Sequence, residues 1–284
     1  MPSLSKHQSN DYVKLLLIGD AKSGKTGSLI SLIKAGYKLR ILDLDNLLDI
    51  LAKLIQEQCP ELIDNVEFRT IRDISKMTAA GPTIIKADAF IEATKMLDKW
   101  KYIDDEGDTI DLGSPSDWGP DCILVIDSLS RLCDACYDWC ASVIPKGRSG
   151  DFDGRAIYGN AQDAIESMLA MLTSKSFACN LIVIAHGMYM EQQDGVTKIF
   201  PQGVGQKLSP KIPQYFPNYI RFKNQGGKRT IQLESDGMID LANTNPNAMP
   251  GKTLPIETGL ADFFGVLRDP PEQAPTKVTK LRKV

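Results

Sequence analysis

The stretch LLLIGDAKSGKTGSLISLIKAG, residues 15–36, decides the fold. An apolar run at residues 13–18 is fit for a buried parallel strand, and residues 25–35 have the length and pattern of a helix. Between them, Gly19-Asp20-Ala21-Lys22-Ser23-Gly24-Lys25-Thr26 fits G-x-x-x-x-G-K-[ST] in the strand–loop–helix context that this motif needs. Its glycines let the backbone curl so that successive N–H groups face inward. The helix that follows turns its positive dipole end toward a phosphate. Lys25 is expected to reach the β- and γ-phosphates of ATP, and the Thr26 hydroxyl to hold Mg²⁺.

A phosphate loop needs a second metal ligand, and ILVID ending at Asp127 supplies one. The expectation is an apolar strand beside the first, with Asp127 delivered to the magnesium at the sheet's C-terminal edge. Hydrolysis also needs a group that orients or deprotonates water. Asp43, Asp45 and His186 all fall at expected strand ends and qualify. The plainer readings are a strand-end or helix N-cap role for the aspartates, since DLDNLLDIL opens a helix, and a satisfied structural role for the histidine.

Working outward, KLRILDLD (38–45) reads as a second strand, NVEFRTI (65–71) as a third, and KADAFIEATKMLDKWKY (86–102) as an amphipathic helix. The acidic, Gly- and Pro-rich segment 102–120 reads as a loop or small hairpin. A helix near 156–174 leads into the apolar strand CNLIVIAHGMYM (179–190), whose exit is Ala185-His186. Beyond it the pattern turns to hairpins, with turns at Asp194-Gly195 and Gly226-Gly227, so the C-terminal third is expected to be antiparallel and loop-rich. The alternation before it predicts an α/β fold with a mostly parallel central sheet flanked by helices.

The 284 residues are 43% hydrophobic and 24% charged, an ordinary globular composition. There is no run of about 18 apolar residues and no apolar region in the polar N-terminus, so neither a membrane span nor a secretory leader is expected. The expected location is the cytoplasm, that of the host cell if the chain is phage-encoded. A net charge of −3 lacks the signature of a passive nucleic-acid coat. Cys133, Cys136 and Cys140 share one helix face, which a buried small-residue stripe explains; three thiolates without a fourth ligand are the alternative. Residues 1–12 read as a flexible extension, 13–265 as the core, and 266–284 as a Pro-rich and basic tail.

The order of phosphate loop, RILDLDNLLD, CILVIDSLSRL, LIVIAHGMYM and PQGVGQKL resembles the core of RecA-type recombinases, and in particular the phage AAA-type, Sak-like ATPases. The resemblance covers roughly residues 13–265. It implies a RecA-like P-loop ATPase core, acting as a ring or filament on single-stranded DNA in phage recombination, annealing or replication. A single-strand-binding or replication protein would be a further partner. It places the water-activating acid on Asp45, where the family usually has Glu, and a γ-phosphate sensor on His186. Ser128 matches the residue after the metal-binding aspartate. In NAMPGKTLP, Lys252 matches the cation offered to a neighbouring subunit's nucleotide. The loops that would face DNA carry Lys146, Arg148, Lys198 and Lys207 among glycines and aromatics. The other reading from the residues is a nucleotide-dependent switch or assembly ATPase with a protein partner and no DNA.

Overall fold

The computed structural model describes residues 11–104, 106–145 and 153–268. Its elements, in chain order, are β1 (Lys14–Gly19), α1 (Lys25–Ser28), α2 (Ile30–Lys34), β2 (Lys38–Asp43), α3 (Asp49–Gln58), β3 (Val66–Thr70), β4 (Ile74–Thr78), β5 (Gly81–Lys86) and α4 (Ala89–Asp98). There follow β6 (Lys101–Ile103), β7 (Thr109–Asp111), β8 (Gly119–Asp127), α5 (Leu129–Val143), α6 (Gly154–Leu172), β9 (Cys179–Glu191) and β10 (Thr197–Pro201). The chain then forms α7 (Gly205–Leu208), β11 (Asn218–Gln225), β12 (Lys228–Gln232), β13 (Thr253–Pro255) and α8 (Gly259–Leu267).

The main sheet runs β13-β12-β11-β1-β9-β8-β2-β3, and β10 folds back on the far end of β9. From β11 to β3 every neighbouring pair is parallel, while β12, β13 and β10 are antiparallel additions. Every residue of β1 is buried, as a central parallel strand covered on both faces requires. The pleat divides its side chains. Leu16 and Ile18 join the core under α4, α5 and α6, while Leu15 and Leu17 join the core under α1, α2, α3 and α8. Cys133, Cys136 and Cys140 lie buried in the first of these cores.

Several expectations need correction. The Asp127 strand does not lie beside β1, because β9 is inserted between β1 and β8. A run of apolar residues identifies a strand but not its neighbour, which the crossovers decide. Helix 86–102 is shorter, at Ala89–Asp98: Lys86 ends the second strand of a β4–β5 hairpin, and beyond the helix Trp100 turns fully into the core. The C-terminal third is not purely antiparallel either, since β11 is a parallel member of the main sheet and α8 packs Phe264 edge-on against Tyr37. Among the described residues no helix is long and apolar enough to cross a membrane.

The insertion of β9 makes a testable contrast. Leu181, buried between Lys14 of β1 and Leu124 of β8, should cost about 2–5 kcal/mol when cut to alanine. Phe68 on edge strand β3 is half exposed, and Phe68→Ala should cost well under half as much. Urea denaturation of the two variants checks the order, and equal losses would contradict it.

Candidate nucleotide-binding and hydrolysis site

The parallel register brings four strand ends to one edge. Gly19 is opposite His186 across β1 and β9, Asp127 is opposite Ile184 across β8 and β9, and Asp43 is opposite Asp127 across β2 and β8. Beyond β1 the chain crosses to β2 on one side, while β11 lies on the other, so this edge contains the topological switch point at which α/β sheets hold ligands.

The loop from Gly19 to Thr26 curls through two left-handed residues, Lys22 (φ 62°) and Gly24 (φ 98°). Gly19 is required by close approach: a Cβ there would lie 2.7 Å from the Phe222 carbonyl and 2.7 Å from Ser23 Oγ. Asp20, Ala21 and Lys22 are exposed, and Ser23 and Lys25 are buried. Lys25 Nζ donates to the carbonyls of Gly19 and Asp20, both at 2.9 Å, and so closes the loop on itself. Burial lowers the Lys25 pKa, partly offset by the Asp127, Asp45 and Asp20 carboxylates. A lysine held this way by carbonyls can exchange them for phosphate oxygens without moving its backbone.

Thr26 Oγ1 donates to Asp127 Oδ2 at 2.7 Å, joining the two oxygen ligands expected of a magnesium site. Asp127 is 3% exposed. Burial, reinforced by the Asp45 and Asp43 charges, pushes its pKa up to about 6 against the Thr26 hydrogen bond and Lys25. A buried carboxylate among carboxylates fits a site built for a divalent cation, and Thr26 and Asp127 are the residues that would hold it.

Asp45 is held from three sides. Ser128 Oγ donates to its Oδ1 at 2.9 Å, His186 Nε2 lies 3.1 Å from its Oδ2, and its backbone N–H reaches the Asp127 carbonyl at 3.2 Å. Arg131 Nε stands 3.8 Å away. Burial opposes the ionised form of Asp45, but the His186 and Ser128 hydrogen bonds, helped by the Arg131 charge, outweigh it and hold its pKa below the usual value. Asp43 is otherwise engaged. Its Oδ1 accepts from the Asn46 N–H at 2.7 Å and its Oδ2 from Thr70 Oγ1 at 2.9 Å, which spends both oxygens on the β2–β3 corner. Of the two aspartates, Asp45 is the one in contact with Ser128 and His186.

Ser128 proves to be the N-cap of α5 as well as a donor to Asp45, which makes it a support for that carboxylate. Two helpers escaped the sequence reading. Ser130 Oγ accepts the His186 N–H at 3.0 Å and donates to the Gln202 carbonyl at 3.2 Å, while Arg131 flanks Asp45. Both lie in SLSR directly after the Asp127 strand, and a helix start at a sheet edge was their available signal. A Cβ on Gly24 would lie 3.1 Å from Arg229 Cδ and 3.3 Å from Ile256 Cδ1, a closeness across the sheet that no local pattern announces.

The remaining candidates stand apart. Lys252 is exposed and paired with Glu234 at 2.9 Å. The register puts Leu254 level with Gly19, and Lys252 lies two residues toward the opposite edge. Lys198 on β10 is paired with Asp240 at 2.9 Å, and Lys207 lies on α7. Lys146 and Arg148 lie outside the described residues, as does the tail from residue 269 onward.

The family model described as AAA domain matches residues 11–240, a span that includes the loop, Asp45, Asp127 and His186. The chain belongs to the AAA domain family. It is therefore grouped with P-loop ATPases, in agreement with the loop geometry. Comparison with curated proteins gives no match. Among solved structures 73 chains match, one of them the crystal structure of the RadB recombinase, at 13% identity over 84% of each chain with a TM-score of 0.42. A likeness that distant says nothing of substrate.

The strained carboxylate of this AAA-family site has a pH signature. In metal-free protein, Asp127 keeps its proton up to about pH 6 when folded and loses it near pH 4 when unfolded. Folding then favours the protonated form, so this group's contribution falls as pH rises through the folded value, by about 3 kcal/mol in all. Asp127→Asn should therefore be more stable than the parent at about pH 7.5 and no more stable at about pH 4, read by urea denaturation in chelator. A variant less stable than the parent at the higher pH would count against the charge strain.

Proposed function

We propose that this chain binds and hydrolyses ATP with Mg²⁺ and works as a RecA-like ring or filament on single-stranded DNA, in phage recombination, annealing or replication. The observation that carries the reading is the Asp45 carboxylate, fastened both to Ser128 beside the metal-binding aspartate and to His186 at the root of the β9–β10 hairpin. Such a contact joins the hydrolytic site to an element that leaves the sheet edge.

In this mechanism Lys25 gives up the Gly19 and Asp20 carbonyls for the β- and γ-phosphates, whose other oxygens meet the loop N–H groups. Thr26 and Asp127 are the residues that would hold the metal. Magnesium, when bound, supplies charge neutralisation at the transferring phosphoryl group. Asp45 stays ionised, and its low basicity suits it to orient a water and accept its proton late, as the γ-phosphate departs. His186 would report that departure to the hairpin. Lys198, Tyr189 and Phe200 on the hairpin, with Lys207 and the undescribed Lys146 and Arg148, are the proposed contacts to DNA. Lys252 is assigned to a neighbour's nucleotide, a role that suits its distance from its own loop.

Asp45→Asn should keep ATP affinity within a few-fold and lower turnover by about 10²-fold or more, whereas Lys25→Ala should lose tight ATP binding altogether. Single-turnover hydrolysis and equilibrium nucleotide binding separate the two outcomes, and normal turnover in the Asp45 variant would remove it from the mechanism.

Assaying turnover with and without single-stranded DNA tests the rest. The parent should be stimulated, and replacing Lys198 and Lys207 together should weaken binding and flatten its salt dependence, by about 0.7 log units per lost phosphate contact. A second reading, a switch with a protein partner, is favoured by the β4–β5 hairpin. It pairs with no other strand among the described residues and exposes Ile74, Met77, Ile84 and Ile85, Met77 to 78%. Turnover indifferent to DNA would favour that reading over the first.

A further inference from the structure

Arg221 is a charge with no ordinary account. It lies on β11 opposite Ile18, one residue before the phosphate loop, and is 6% exposed. Its Nε has no hydrogen-bond partner, and no carboxylate among the described residues lies within ion-pair distance. A guanidinium buried in this way is costly unless an anion compensates it. What it does touch is the Tyr189 hydroxyl, 3.4 Å from Nη2. That same hydroxyl sits 3.1 Å from each carboxylate oxygen of Asp20, the second residue of the loop. A phenol has one proton and two lone pairs, so it can donate to Asp20 while accepting from Arg221. Cation, hydroxyl and carboxylate thus form one relay across β11, β9 and the loop.

The relay answers a difficulty in the loop itself. Asp20 places a negative charge in a segment that must receive a polyphosphate, although the same charge favours the protonated form of Lys25. We propose that Tyr189 and Arg221 are positioning residues for the nucleotide: they hold the Asp20 carboxylate turned off the phosphate path, compensate its charge, and fasten the β9–β10 hairpin to the phosphate loop. This rests on the ATP-binding reading above. It also gives β9 two separate grips on the site, His186 on Asp45 and, three residues on, Tyr189 on Asp20.

The test is a double-mutant cycle on the full chain, read by equilibrium binding of ATP with Mg²⁺ and by hydrogen exchange of residues 187–201. Tyr189→Phe keeps the ring and removes the relay's hydroxyl, and should weaken ATP binding about tenfold. Asp20→Asn alone should bind as tightly as the parent or tighter. Combined with Tyr189→Phe it should restore parental affinity, because the freed charge is gone. Nucleotide should change exchange in 187–201 of the parent and fail to do so in Tyr189→Phe. Arg221→Gln should behave as Tyr189→Phe does, and the cycle stands without it if that variant fails to fold.

Parental affinity in Tyr189→Phe, or a double variant as weak as Tyr189→Phe, overturns the relay. A parent that binds no ATP, or binds it equally with Lys25→Ala, overturns the nucleotide reading instead, so the two failures are distinct.

Discussion

The site depends on a register. Because β1, β9, β8 and β2 run parallel, with Gly19 level with His186 and with Asp127 and Asp43 level with Ile184 two residues earlier on β9, four strand ends meet at one sheet edge. Aliphatic side chains on both faces hold that register, since a slip by one residue would exchange the two cores. The cost is electrostatic. Asp43, Asp45 and Asp127 crowd together, and burial makes their mutual repulsion larger than it would be in water. The three carboxylates are answered in different ways. Asp43 is spent on a backbone corner, Asp45 is held ionised by donors, and Asp127 is left strained with a threonine hydroxyl. The strained one is the one a metal would relieve.

Lys25 belongs to the same balance. Desolvation works against its charge while three carboxylates support it, and in the free loop its protons go to two carbonyls. A lysine bound this way is committed to the loop but not to any carboxylate, so arriving phosphates compete with neutral acceptors. Charge-assisted bonds to phosphate are the stronger kind, so such an exchange would favour a phosphate ligand.

What the chain spelled out was local. The phosphate loop announces itself by glycines at fixed offsets, and ILVID and LIVIAH announce buried strands by apolar runs that end in a polar residue. Asp45 and His186 were legible as strand ends, but their contact with each other depends on residues 141 positions apart and on β9 and β8 lying side by side. The insertion of β9 between β1 and β8 had no local trace at all, because strand order is set by which crossover packs on which face. The β4–β5 hairpin went unseen for a different reason. Its strands are exposed on both faces, so the alternation that reveals a half-buried strand was missing. Ser130 and Arg131 were hidden in plain sequence, since a serine or arginine in the first turn of a helix is unremarkable until its neighbours across the sheet are known.

The β9–β10 hairpin touches both the Asp45 carboxylate and the glycine-rich loop. A central strand such as β9 normally ends where its neighbours end, yet this one continues for five residues past His186 and pairs there with β10. Gly187 is small where Ile199 comes closest, since a Cβ would stand 2.5 Å from its Cδ1, and this lets β10 lie against the root of the extension. The extension is continuous with the strand buried between β1 and β8, so a shift of the hairpin would be felt at His186 and Tyr189. Strand continuity links two hydrogen bonds of 3.1 Å at the candidate site to an element that lies outside it. Any partner that engages the hairpin, whether nucleic acid or protein, would therefore act on the Asp45 carboxylate through His186 and on the glycine-rich loop through Tyr189.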